Sequence, residues 1–174
     1  MSEVLAIALN ALRARVTKVF PAQVRTALEP LTDEQLWWRP NESSNSIGNL
    51  VLHLSGSLDY YLNRNLGGLD FVRDRAAEFN ERQPIPKAEL LARFDTMVAN
   101  AERTFDQLTV ERIAGPSPEP TMHTIAFEDL LNVAMHLANH AGQIVWIAKS
   151  IDAHAVDEVW IRTHRSEGAW KPKA

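Results

Sequence analysis

The chain has 174 residues, 45% hydrophobic and 23% charged, a composition that fits one globular domain and excludes intrinsic disorder. Eighteen Lys and Arg against 22 Asp and Glu leave a formal net charge of −4, so the basic footprint needed for nucleic acid is absent. With no cysteine and six histidines, the chain can build no disulfide, thiolate metal site or cysteine nucleophile. Any metal must be held by nitrogen and oxygen, with imidazole the natural ligand.

The first ten residues lack a basic region, and no run of eighteen apolar residues follows. The expectation is therefore a cytoplasmic protein without a signal peptide or membrane span. Leu5, Leu9, Leu12, Val16, Val19 and Phe20 recur at three- and four-residue steps and predict a helix over 2–28. Pro21 should kink it rather than end it, because Val24, Ala27 and Leu28 continue the face, and Pro30 ends it. Thr32-Asp33-Glu34-Gln35 resembles a helix start within the loop that follows. Trp37-Trp38 reads as a packing block beneath that loop rather than as a substrate platform.

Asn45 or Ser46 can cap a second helix reaching about Leu66, with Gly67 just beyond its end. Its stripe contains Leu50, Val51, Leu54, Leu58 and Leu62. Residues 67–86 show no periodicity; a loop of that length is usually functional or packed as a lid. Arg73, Arg75, Glu78 and Arg82 suit a lid over an anionic substrate, but mutual pairing of Arg73, Asp74, Arg75 and Glu78 is the reading we prefer. A third helix is expected over 87–108 and, after the break at Gly115-Pro116-Ser117-Pro118, a fourth over 124–151. No strand alternation or internal repeat is evident, so the fold class is all-α, a four-helix bundle over 1–151 with a C-terminal tail over 152–174. The tail, with Trp160 and Trp170, is expected either to pack on the bundle or to be partly disordered. Met135 and Trp146 fall opposite the apolar centre of the fourth helix and suggest a homodimer, unless the Trp37-Trp38 segment or the tail covers them.

The fourth helix carries the chemistry. Over 124–151 only Glu128, Asp129 and Lys149 are charged, so most of the helix should be buried. Asp129, Asn132, His136, His140 and Gln143 all fall within about 40° of one line along it. A solvated face is the plain alternative, but such a face usually carries lysine and glutamate, so we prefer a cleft-lining polar stripe. Histidines four apart put their rings on one side, where two imidazoles can bind one ion. His53, at the edge of the second helix's apolar stripe, is the candidate third ligand; three histidines leave the open position of a catalytic site. Gln143 is the candidate for orienting a ligand or water from behind. Asp129 stands about 10 Å along the axis from His136, too far to join the site. His123, His154 and His164 read as ordinary polar surface.

Three segments, residues 45–56, 73–79 and 136–144, resemble the DinB-like superfamily of bacterial metal-binding four-helix bundles, with the likeness running from about residue 5 to 151. That superfamily includes bacillithiol S-transferases, and a mycothiol-dependent maleylpyruvate isomerase is a relative. The segments look like one of its branches known mainly as a domain of unknown function. By that resemblance His53, His136 and His140 correspond to a metal triad holding a divalent ion, zinc, nickel or iron. Ser57 stands where this branch more often carries asparagine.

The resulting expectation is a metal-dependent enzyme acting on a small molecule, with thiol transfer or hydrolysis the foremost reactions. The substrate would be small, in the first case a low-molecular-weight thiol that brings its own sulfur. Nucleic acid and membrane are not expected partners. Two alternatives stand beside it: a non-catalytic bundle with a structural or vestigial metal, and a dry bundle whose histidines hydrogen-bond. The deciding observation is whether three imidazole nitrogens converge on one point.

Overall fold

The computed structural model describes residues 2–118 and 123–153. The tail expectations, including Trp160, Trp170, His154 and His164, lie outside the described residues. Helix α1 covers residues 2–28 as Ser2–Ala14, a wider π-type turn Arg15–Val19, and Phe20–Leu28. The predicted kink takes the form of that wider turn: Pro21 has no N–H to give the preceding turn and crowds it, and Phe20 N–H reaches back five residues to the Arg15 carbonyl. Helix α2, Asp33–Leu36, is capped by Thr32 and Gln35 bonding each other's backbone N–H.

Helix α3 covers residues 47–64, as Ile47–Leu58 followed by a second π-type turn, Asp59–Arg64. Of the two capping candidates Ser46 is the one used; its hydroxyl accepts from Asn49 N–H. Helix α4, Arg75–Asn80, interrupts what the sequence suggests is a loop. Its six residues are too few to display a period, and its start is set locally by Asp74 accepting from Ala77 N–H. Helix α5, Lys87–Gln107, matches its predicted span. A short helix α6, Val110–Ala114, again unpredicted, is capped by Thr109. Helix α7, Ala126–Ile151, begins where Glu128 accepts from the N–H groups of Thr124 and Ile125. Among the described residues there is no strand, only one bridge between Pro116 and Ile125.

In the all-α bundle, α1 and α3 each pack against both α5 and α7. Their apolar stripes meet in a core where Leu28, Leu54, Leu58, Phe94, Met97 and Leu130 are wholly inaccessible. Trp37 is a packing residue, as expected: its ring lies against Gly48, where a Cβ would come within 2.7 Å of it, and its Nε1 donates to the Ile85 carbonyl at 3.1 Å. Trp38 is exposed. Met135 and Trp146 are 63% and 65% exposed, so neither the Trp37-Trp38 segment nor the rest of the described bundle covers them.

Candidate metal centre

The α3–α7 contact places His53 opposite His136 and His140, one turn apart on α7. The ring centroids are 4.9 Å (His53–His136), 4.9 Å (His53–His140) and 4.5 Å (His136–His140) apart. One ring nitrogen from each lies within 4.8 Å of the others, so a point about 3 Å from all three exists, close to the reach of a metal–imidazole bond. This is the convergence the sequence leads one to test. His53 is buried, and His136 and His140 are half-buried.

A chain of hydrogen bonds sets the orientation of His53. The Asn49 side chain, fixed by the Ser46 cap, donates to the carbonyls of Glu78 (3.0 Å) and Glu81 (3.2 Å), holding the far end of α4 against α3. Arg39 reinforces this by donating to Asn49 Oδ1 and the Glu81 carbonyl. The Glu78 carboxylate is thereby brought under His53, with Oε2 2.8 Å from Nδ1. Gly56 makes room, since a Cβ there would collide with that carboxylate. Arg73 clamps it from the other side, Nε to Oε1 at 2.7 Å and Nη2 to Oε2 at 2.8 Å. An ionised carboxylate only accepts, so His53 Nδ1 carries the proton and Nε2 keeps its lone pair. Arg73 Nη2 also stands 3.2 Å from Nδ1, but both are donors and form no bond. His140 is held similarly, Nδ1 donating to Gln143 Oε1 at 2.7 Å. A carboxylate behind His53 and an amide behind His140 are the usual kind of support for metal-ligating histidine.

Burial, followed by the charges of His140, His53, Arg73 and Arg75, lowers the His136 pKa to about 4. Burial also lowers that of His140, against its hydrogen bond to the Gln143 amide oxygen, which raises it. Burial pushes the Glu78 carboxyl up, but the hydrogen bonds from Arg73 and His53 outweigh it and hold the group below the usual range. Near neutral pH, then, His136 and His140 are uncharged and able to ligate. His136 Nε2 is buried with no hydrogen-bond partner among the described residues. A bound cation would satisfy that atom, so this donor set fits a divalent ion.

An acid sensitivity follows for metal-free protein. Above pH 6.5 the His136 shift contributes nothing, because folded and unfolded chains are both neutral there. As pH falls from 6.5 towards 4, the unfolded chain takes a proton that the folded one refuses, so stability is lost. Glu78 acts in the same direction below its ordinary value of 4.5, where only the unfolded carboxyl protonates. Chelator-treated protein should therefore melt at a lower temperature at pH 5 than at pH 7.5; equal melting temperatures would contradict this assignment.

A cavity of about 300 Å³ opens beside the cluster, lined by His53 and His136 and by Ser57, Tyr61, Arg75 and Asn132, among others. A larger one, about 430 Å³, reaches Glu78 from the other side but touches none of the three histidines. The fourth-helix stripe lines a cleft only in part: Asn132 and Gln143 are exposed, while Asp129 is buried and accepts from Ser117, away from the histidines. His123, half-buried before α7, is not in the cluster. The 73–79 segment supplies the Arg73–Glu78 pair and the Asp74 cap, as the preferred reading has it, but Arg75 stacks on Phe79 at 5.2 Å and faces the cavity. Glu78 is the site residue the sequence reading misses. The available signal is chemical: a histidine that ligates needs an acceptor behind it, and a glycine within a helix marks a close approach.

No curated protein matches the chain. The family model for the DinB superfamily matches residues 8–144, most of the chain and all three histidines. The chain belongs to the DinB superfamily.

Proposed function

We propose that the protein is a divalent-metal-dependent enzyme acting on a small molecule, by thiol transfer or hydrolysis. The observation that carries this reading is the convergence of three imidazoles beside an open cavity, with one buried nitrogen left unpartnered among the described residues. His53, His136 and His140 would hold the ion. When bound, it would supply Lewis acidity and lower the pKa of a coordinated water or thiol. Three neutral ligands leave its charge undiminished. Glu78 and Gln143 hold the His53 and His140 rings and fix their tautomers. In thiol transfer the sulfur comes with the substrate, because the chain has no cysteine. The absence of cysteine also suits a reducing cytoplasm, where we place the enzyme.

The test is elemental analysis of protein purified and reconstituted with zinc, nickel or iron. About one ion per chain, with exchangeable water on it, supports the reading. No retained ion with any of the three metals would sink it, and an ion without exchangeable water would favour a structural tie between α3 and α7.

A further inference from the structure

The wall of the histidine-side cavity is not electrically balanced. Arg73 is neutralised by its two bonds to Glu78. Arg75, two residues earlier than Ala77 on α4, has no carboxylate or carbonyl partner among the described residues and rests its guanidinium on the Phe79 ring, which in turn stacks on His53 at 4.7 Å between centroids. Neutral groups share the wall. Ser57 contributes a hydroxyl to it. The Asn132 side chain, one turn before His136, contributes an amide. A guanidinium, a hydroxyl and an amide thus face one small space, where each can donate to the same acceptor.

We infer that Arg75, with Ser57 and Asn132, forms an anion subsite that selects small molecules bearing a carboxylate, held with their reacting group towards His53 and His136. One cation without a carboxylate partner among the described residues, flanked by neutral donors, matches a single negative charge, and a planar guanidinium suits a carboxylate in two-point contact. The stacking on Phe79 pre-orders the guanidinium, so little side-chain freedom is lost on binding. The assignment of this anion as part of a substrate rests on the enzyme reading above; the subsite itself does not require a metal.

The test compares 3-mercaptopropionate with 3-mercaptopropionamide, which share the thiol and differ in the charge. Binding is measured by NMR titration on metal-loaded and chelator-treated protein. Wild type should bind the carboxylate about tenfold or more tighter than the amide, the scale of one charge-assisted contact. Arg75→Gln should erase that ratio, Arg75→Lys should restore part of it, and Arg15→Gln, on α1 and outside the cavity wall, should leave it intact. Arg75 is exposed, so its substitution should not disturb folding. Equal binding of the two probes to wild type, no carboxylate binding in the millimolar range, or a ratio that survives Arg75→Gln each overturns the subsite. If no ion is ever retained but chelator-treated protein keeps the Arg75-dependent ratio, the enzyme reading fails and the subsite stands.

Discussion

Replacing Glu78 by alanine should destabilise the metal-free fold by about 3–5 kcal/mol, the scale expected when one member of a buried ion pair is removed. The Glu78 and Arg73 side chains are 7% and 9% exposed, so neither can recover its lost partner from bulk water without moving. Alanine would leave the Arg73 guanidinium and the His53 N–H facing an emptied space where the carboxylate accepted three bonds. Glu78→Gln keeps the volume and one acceptor oxygen, so it should cost distinctly less. It should still loosen the hold on His53, weakening metal affinity by about 10–100-fold through loss of the carboxylate behind the ligand. Urea titration of the two variants with chelator present separates the effects. A loss under about 1 kcal/mol for Glu78→Ala would mean that Arg73 and His53 find other partners and that the clamp on Glu78 adds little to stability.

His136→Ala is expected to give the largest change in metal-linked behaviour. With free metal at 100 to 1,000 times its dissociation constant, wild type should gain about 2.7–4.1 kcal/mol over its chelated form. The variant should gain nothing and should retain no stoichiometric ion, because two ligands from different helices cannot replace three. The ring is half-buried at the edge of a cavity, so truncating it should leave the helical circular dichroism of the bundle intact. It also removes a buried nitrogen that lacks a partner among the described residues, which offsets part of the lost packing. Thermal melts of both proteins with and without chelator check this. A variant that keeps one ion per chain and the wild-type chelator response would remove His136 from the ligand set.

The long helices were readable in the sequence because each buries one stripe, and a stripe prints its period on the residues. Leu50, Leu54, Leu58 and Leu62 mark α3, and the Ser46 cap and the proline-rich breaks mark the ends. Short elements left no such mark. Helix α4 is held by Asn49, Arg39 and Arg73, residues well removed from it in sequence or pointing across a turn, and the first π-type turn answers a single proline.

The candidate site divides in the same way. The one-turn spacing of His136 and His140 is a local fact, fixed by helix geometry, and the absence of cysteine excludes thiolate ligands without reference to any fold. Whether His53 stands opposite them depends on how α3 packs against α7, and that is decided only when the apolar stripes meet. The pairing of Glu78 with His53, and the position of Arg75 on the cavity wall, likewise arise from where a non-periodic segment is pinned after the bundle has formed. The sequence by itself therefore determined the long helices, the imidazole chemistry and two of the three histidines in the cluster, since those follow from period and composition. Only the tertiary structure decided the placement of the third histidine, its carboxylate and the cavity-wall arginine, because which side chains distant in sequence meet is set by how the stripes pack, and that partnering has no signature along the chain.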